Sequence, residues 1–456
     1  MRRKFILLCL VAVMMGCASQ ETIDADKIIQ NVQVISMAGG EEIQKNQDVF
    51  VKGDRIARIT GAGQFAPGQE ATVIDGSGKY LIPGLSEMHA HIPSGDRSRE
   101  YIDHVLFLYL ANGITTIRGM LGDPLHLDLR RQANRNELLS PRIYTSGPGF
   151  GGNSFDNPDQ ARQQVRDQKE AGYDFLKIFP GLTLKEYNAI AEEANKVGIE
   201  FSGHIPSSVG LVRALEAGQT TIDHLDKYVE ALVTDTVSAE SPGVIYFGMH
   251  LTPQAERNKI AEVARLTTDA GTWNVPTQAL LEHVLGPETP EELAQRPEFQ
   301  YMPRETVQQW IESKQSITEN ESYSETLAKD YLQLRRDIIK ALHEADAGLL
   351  LGSDAPQIFN VPGFSVHHEL RYIVQAGLSP YETLETGTYN AAQYLNDLEN
   401  SGTIEEGKIA DMVLLEANPL DDISNSSSIA GVMYRGNWLS NREIEKRLNT
   451  IAEQYN

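Results

Sequence analysis

From residue 27 to residue 80, apolar and polar positions alternate without a helical period. The runs Val32–Met37, Asp48–Lys52, Ile56–Thr60 and Ala71–Ile74 are separated by turn signals at Gly39-Gly40, Gly53-Asp54 and Gly76-Ser77-Gly78. This pattern predicts several antiparallel strands. It returns at Ala410–Leu415 and Ile429–Arg435, so residues 27–82 and 405–440 are expected to build one small β-sandwich from both chain ends. Between them, over residues 83–404, the pattern changes to short apolar runs alternating with helix-length segments that close on glycine, as at Ala171-Gly172, Val197-Gly198, Ala217-Gly218 and Ala347-Gly348. Strand–helix alternation predicts an α/β domain with a parallel sheet. Strands are expected to end near His91, Arg118, Gly147, Phe179, His204, His224, Pro276 and Asp354, the number that closes a (β/α)8 barrel. Residues 441–456 read as a C-terminal helix or tail.

Several of these strand ends carry polar, ligand-capable side chains. The run Leu81–His91 places His89 and His91 two positions apart, so that regular alternation points both to one face, opposite Met88, Ala90 and Ile92. Two neutral imidazoles on one face can converge on a metal ion. Lys177 sits on the same face as Phe175 and Phe179, where an unpaired ammonium is costly. His204, His224 and Asp354 each end a strand-like run. The active site of a (β/α)8 barrel lies at the C-terminal ends of its strands, so these positions read as functional.

The set resembles the amidohydrolase superfamily, in particular its imidazolonepropionase-like and prolidase-related branch. The likeness rests on Ile82-Pro83-Gly84-Leu85 before His89 and His91, on Gly113–Arg118, and on Lys177, Gly203-His204, Asp223-His224 and Gly352-Ser353-Asp354. The phrase Gly402–Val413 resembles the family's return to its small β domain. The resemblance implies a distorted (β/α)8 TIM barrel holding two divalent metal ions, zinc by preference. His89, His91 and Asp354 would hold one ion and His204 and His224 the other. Lys177 would bridge them as a carbamate formed with carbon dioxide, which would account for a lysine on an apolar strand with no evident salt-bridge partner. All-nitrogen-and-oxygen ligation suits zinc but also manganese, cobalt or iron. Two cations sharing a water lower its pKa toward neutrality. Asp354 would carry that water's proton to the leaving amine.

For substrate, the expectation is an amide in a small molecule, an Xaa-Pro-type dipeptide or an N-acyl amino acid. Competing readings are an esterase, lactonase or phosphotriesterase on the same scaffold, and a surface-anchored binding protein without turnover. Tyr228, four residues beyond His224, is a candidate for stabilising an oxyanion. Arg118, His126 and His283 are candidates for contacting substrate. His367 and His368 are adjacent on an expected helix, point different ways, and are not counted as a metal pair. After the seventh strand a polar, proline-rich stretch runs through Glu282–Arg304, and a helical segment rich in Gln, Glu and Ser follows. The insertion 282–320 reads as a lid over the centre, the alternative being a surface insertion.

The N-terminus adds a location. Arg2-Arg3-Lys4 precedes the apolar run Phe5–Met15 and Gly16-Cys17, the layout of a secretory signal too short to span a membrane. Gly16-Cys17 resembles a bacterial lipobox, with Met14 where leucine is usual. Residues 1–16 are therefore expected to be removed and Cys17 lipidated, followed by a polar tether to residue 26, giving an exported, membrane-anchored lipoprotein. The only cysteines are Cys9 and Cys17, so the mature chain has no disulfide and no cysteine metal ligand. A net charge of −23 argues against nucleic-acid binding, which needs basic surface. Whether the chain forms a homo-oligomer is left open.

Overall fold

The computed structural model describes residues 21–152, 154–234 and 246–455. The leader and Cys17 lie outside the described residues. The two chain ends meet in one continuous sheet. Its strands run in the order Asn437–Ser440, Ile429–Tyr434, Met412–Leu415, Tyr80–Pro83, Lys27–Val34, Gln44–Lys52 and Arg55–Gly61, with Thr72–Asp75 also beside Lys27–Val34. Not all pairs are antiparallel as the alternation suggested: Lys27–Val34 pairs parallel with both Thr72–Asp75 and Tyr80–Pro83. The hairpin Gln44–Gly61 intervenes, so the chain re-enters the sheet by crossover. The Arg55 edge bonds back to the chain just before Met412, through Ile56 N to Lys408 O at 2.9 Å and Ala410 N to Asp54 O at 2.8 Å. The sheet thereby closes around a core that includes Ile29, Val34, Val51, Leu81, Met412 and Met433.

The barrel strands are Leu85–Ala90, Ile114–Gly119, Arg142–Thr145, Phe175–Ile178, Glu200–Gly203, Thr221–Asp223 and Trp273–Val275, all paired parallel. The first three form one sheet and the next four another. Two seams join them. Asp174 N donates to Thr145 O at 3.0 Å between the third and fourth strands. The expected eighth strand, 348–354, is an extended segment with one isolated bridge to the seventh strand and backbone hydrogen bonds to the first. Asn274 N donates to Gly348 O at 2.8 Å on one side, and Met88 N donates to Leu351 O at 2.8 Å on the other. Isolated bridges at both seams are what distorts the barrel.

Helices between strands start and stop where the chain supplies caps. Thr183 and Glu186 form a reciprocal capping box at the start of Leu184–Val197, and Gly198 ends that helix at φ 68°. The proline-rich stretch 282–304 is helical in part, and the helical segment expected after it is present. The helices are Gln278–Leu285, Pro290–Ala294 and Arg304–Thr318, followed by Glu325–Glu344. Prolines 290, 297 and 303 sit at or just before helix starts, where a missing N–H costs nothing. Residues 441–455 form a helix, with Ile444 and Ile451 buried.

Candidate active site

The first strand departs from regular alternation. Its register with the second strand shifts between Glu87 and Ala90. Met88 consequently packs with Val275, Leu350 and Tyr394, not with the outer layer that holds Ala90 and Ile92. His89 and His91 still converge. Their Nε2 atoms lie 3.3 and 3.0 Å from Asp354 Oδ1. On its other side His89 Nδ1 lies 3.2 Å from Asp223 Oδ2. The two residues that end strands six and eight, His224 and Asp354, have φ of 60° and 65°. These left-handed turns, uncommon without glycine, swing both side chains over the barrel mouth.

Ligand-type atoms of His89, His91 and Asp354 all lie within 4.8 Å of one another, as do those of His89, Asp223 and His224. His204 and His224 stack at 4.7 Å between centroids. His204 Nδ1 is 2.9 Å from Asp226 Oδ2, and His224 Nδ1 is 2.7 Å from Thr277 Oγ1. Each contact orients its ring and leaves Nε2 for the cavity, the outer-shell arrangement usual for metal-ligating histidine. His89 Nδ1 and Asp354 Oδ1 are buried without a hydrogen bond of good geometry to any protein group. A buried carboxylate oxygen left over beside the Nε2 atoms of both His89 and His91 fits a cation among the three side chains.

Charge supports that fit. Burial alone would raise the Asp354 carboxyl, but His89 and His91 hold it well below the usual carboxylate range. Burial works the same way on Asp223, and there Lys177 and His89 win. Burial, then neighbouring His204 and His89, keep His224 well below the usual imidazole range and so neutral. Asp223 and Asp354 are thus held ionised and His224 neutral, the forms that ligate. At His89, burial and Lys177 act to lower the imidazole, but those two carboxylates outweigh them and raise it.

Lys177 corrects one expectation. It is buried, and it has a salt-bridge partner: Nζ donates to Asp223 Oδ2 at 2.7 Å. Asp223 faces inward from the sixth strand, and this cross-strand partner is 46 residues away in sequence. Asp223 is the site residue that strand-end reading passed over. Its signal was a carboxylate inside the short strand-like run Thr220–His224. Glu87 was missed for the same reason. It is fully buried and accepts from His89 N at 2.9 Å and from Ser353 N and Oγ at 2.9 and 2.6 Å. Burial pushes its carboxyl up to about 7. Glu87 therefore ties the first strand to the last segment and fixes His89 relative to Asp354.

Four expected substrate contacts lie elsewhere. The Tyr228 hydroxyl sits between strand and helix, bonded to Asn274 Oδ1 at 2.8 Å and Thr267 Oγ1 at 2.9 Å, because Tyr228–Ala231 is a helical turn and not an overhanging loop. Arg118 lies below the site, donating to Thr221 Oγ1 at 3.2 Å, its guanidinium 4.3 Å from the Phe175 ring centroid. The strand position that carries it faces the barrel interior beneath the strand ends. His126 closes its own helix start, 3.1 Å from Pro93 O. His283 turns away from the cavity to Asn360 Oδ1 at 2.8 Å, since Leu280, Leu281 and Val284 take the inward face of that helix. His367 and His368 do point apart, to Ser426 Oγ and to His283 Nε2.

The centre opens into a cavity of about 210 Å³. His89, His91, Lys177, His204, His224 and Asp354 line its base. Its walls are Phe179, Phe247, Leu280, Leu281, Val284 and Ile358, with Gln357 the one uncharged polar side chain. Phe247, which sequence reading also missed, stacks on His224 at 5.0 Å and 22°.

A family model described as "Amidohydrolase family" matches residues 80–439. The chain is 22% identical to a probable imidazolonepropionase of Nematostella vectensis over 89% of its own length and 90% of that protein's. It is 26% identical to adenine deaminase 3 of Rhizobium meliloti (strain 1021), but this match covers 45% of the chain, which spans only 37% of the deaminase. The crystal structure of a putative prolidase from Bifidobacterium longum superposes with a TM-score of 0.65 at 23% identity, over 93% of this chain and 98% of that one.

Proposed function

From the premise that the chain belongs to the amidohydrolase family, we propose that it is a metal-dependent hydrolase cleaving an amide C–N bond in a small molecule. The observation that carries this is the convergence of His89, His91, His224 and Asp354 at the lining of one cavity, with Asp223 buried beside His89 and His224. His89, His91 and Asp354 would hold one divalent ion. His204 and His224 would hold a second, with Lys177 between the two groups; zinc suits this donor set. Such ions, when bound, polarise a scissile carbonyl and lower the pKa of water.

The chain's own residues do the rest. Asp354, kept ionised, accepts the proton of the attacking water at a carboxylate oxygen and returns it to the departing amine nitrogen. Glu87 holds His89 and Asp354 in register. Lys177, by losing two protons from its ammonium and gaining carbon dioxide at Nζ, would exchange a buried cation for an anion with two ligating oxygens. Asp226 and Thr277 fix the rings of His204 and His224. The basic-apolar leader and Gly16-Cys17 support an exported, lipid-anchored location for this activity. Elemental analysis of the leader-free protein, combined with a screen of amides, dipeptides and N-acyl amino acids before and after chelation, tests the reading. Two equivalents of metal and turnover lost on chelation and restored by zinc are expected. Full turnover by metal-free protein would refute it.

A further inference from the structure

Among the described residues, the walls above the centre are apolar apart from Gln357. Phe179 and Phe247 supply two aromatic faces, and Leu280, Leu281, Val284 and Ile358 supply the aliphatic remainder. Among the described residues lining the cavity, Lys177 is the sole lysine or arginine, and its ammonium is engaged by Asp223 at 2.7 Å. Arg118 and His283, the cationic candidates from the sequence, are bonded elsewhere.

Covalent geometry makes this decisive. In a dipeptide the terminal carboxylate carbon lies within about 4 Å of the scissile carbonyl carbon, three bonds away. A free carboxylate would therefore have to enter this cavity with the scissile bond. There it would lose its hydration against leucine, valine and phenylalanine, with no lysine or arginine other than the paired Lys177 among the described lining residues to receive it, at a large desolvation cost. A neutral aromatic or branched aliphatic group meets the opposite situation, since its burial against the same wall is favourable. The small volume, below the roughly 300–1,000 Å³ of sites for drug-sized ligands, suits one ring or one branched chain.

We infer that the substrate presents an uncharged apolar group, aromatic or branched aliphatic, on the amine side of its scissile amide, and that substrates with a free carboxylate beside that bond are disfavoured. This rests on the amide-hydrolase reading above and narrows it, setting aside Xaa-Pro dipeptides and N-acyl amino acids as preferred substrates.

The test uses matched pairs with one scissile bond, such as N-benzyl benzamide against benzoyl-phenylglycine, and leucyl-pyrrolidine against leucyl-proline, on the metal-replete protein. kcat/KM is expected to favour the neutral member by about tenfold or more, a small part of the penalty for burying a bare charge. Ile358→Arg, placed on the half-buried rim, should narrow or reverse that ratio while metal content by elemental analysis stays unchanged. Equal or better cleavage of the carboxylated members by the wild-type protein would overturn this inference and leave the hydrolase reading standing. Cleavage of neither member of any pair, with metal bound, would overturn both.

Discussion

Lys177 and Asp223 meet at 2.7 Å in the middle of the barrel, and the fate of that pair sets the charge of the whole site. If Lys177 acts as a bridging carbamate, Lys177→Ala should lose occupancy of the second metal, and turnover should fall beyond the ~10–100-fold typical of outer-shell changes. Reconstitution of metal-free protein should then depend on added bicarbonate. Metal stoichiometry indifferent to bicarbonate, with a mutant that is merely less stable, would make the lysine a plain ion-pair partner of Asp223. A second prediction concerns His367, buried between Ser426 Oγ and Asn112 O. Burial pushes its imidazole from an ordinary 6.5 down to about 4. The unfolded ring therefore binds a proton throughout the interval where the folded ring does not, and acidification between those values favours unfolding. The loss by pH 4 should be on the order of 3 kcal/mol. Urea midpoints of the wild type should fall more steeply with pH than those of His367→Gln; parallel slopes would show that His367 does not titrate this way. His89, His91, Lys177, His204, His224 and Asp354 were legible in the sequence because each interrupts or ends an apolar run. Asp223 and Glu87 were not, since their importance lies in partners on other strands. Tyr228 and His283 misled because sequence distance from a strand end does not reveal which way a helical turn faces.

At the scale of elements, the helix Gln278–Leu285 is the working wall of the cavity, and distant residues secure both its ends. No side chain of its own caps its start. Instead Glu369 accepts from Gln278 N at 2.9 Å and Ala279 N at 2.6 Å. Lys314, on a later helix, donates to His283 O at 2.7 Å and Gly286 O at 3.1 Å at its far end. Arg335, buried on the helix Glu325–Glu344, donates to Gln278 Oε1, His224 O and Pro276 O at 2.9, 2.7 and 2.7 Å. One guanidinium thus clamps the wall helix to the sixth and seventh strand ends. Arg335→Met would leave buried acceptors unpaired, and a loss of roughly 3 kcal/mol is expected. Thermal denaturation should show the shift, and zinc affinity should weaken with it because the His224 backbone loses its brace. An unchanged Tm would mean that solvent replaces the clamp. The stretch 282–320 shows why a lid was expected: its prolines suppress the apolar periodicity that identifies helices. Helical starts tolerate those prolines, and Val284 of this stretch lines the cavity, so the stretch contributes to a braced wall of the site.

Over the whole molecule, alternation along the chain was enough to foresee a barrel with a small sheet made from both ends. Period and order carry that information. The seams, the first-strand irregularity and the parallel pairings of Lys27–Val34 depend on which distant edges meet, and no local pattern records that. The leader makes a prediction at the same scale. Cys17→Ser should move the protein from the membrane to the soluble fraction, because lipid chains on Cys17 would be its anchor. Unchanged fractionation after the substitution would exclude lipidation as the means of attachment.

The sheet shared by both ends also dictates an order of events while the chain is made. Tyr80–Pro83 bonds on one side to Lys27–Val34, available early, and on the other to Met412–Leu415, more than three hundred residues later. Until the late strand arrives, the early ones stand with an open edge, the kind of surface that recruits other chains. Closing so long a loop adds only slowly growing entropy, so the finished sheet is not thermodynamically penalised, but its completion must wait. The last stretch of the polypeptide is thus the step that seals the first, and loss of the final strands would act as a folding lesion felt at residue 80.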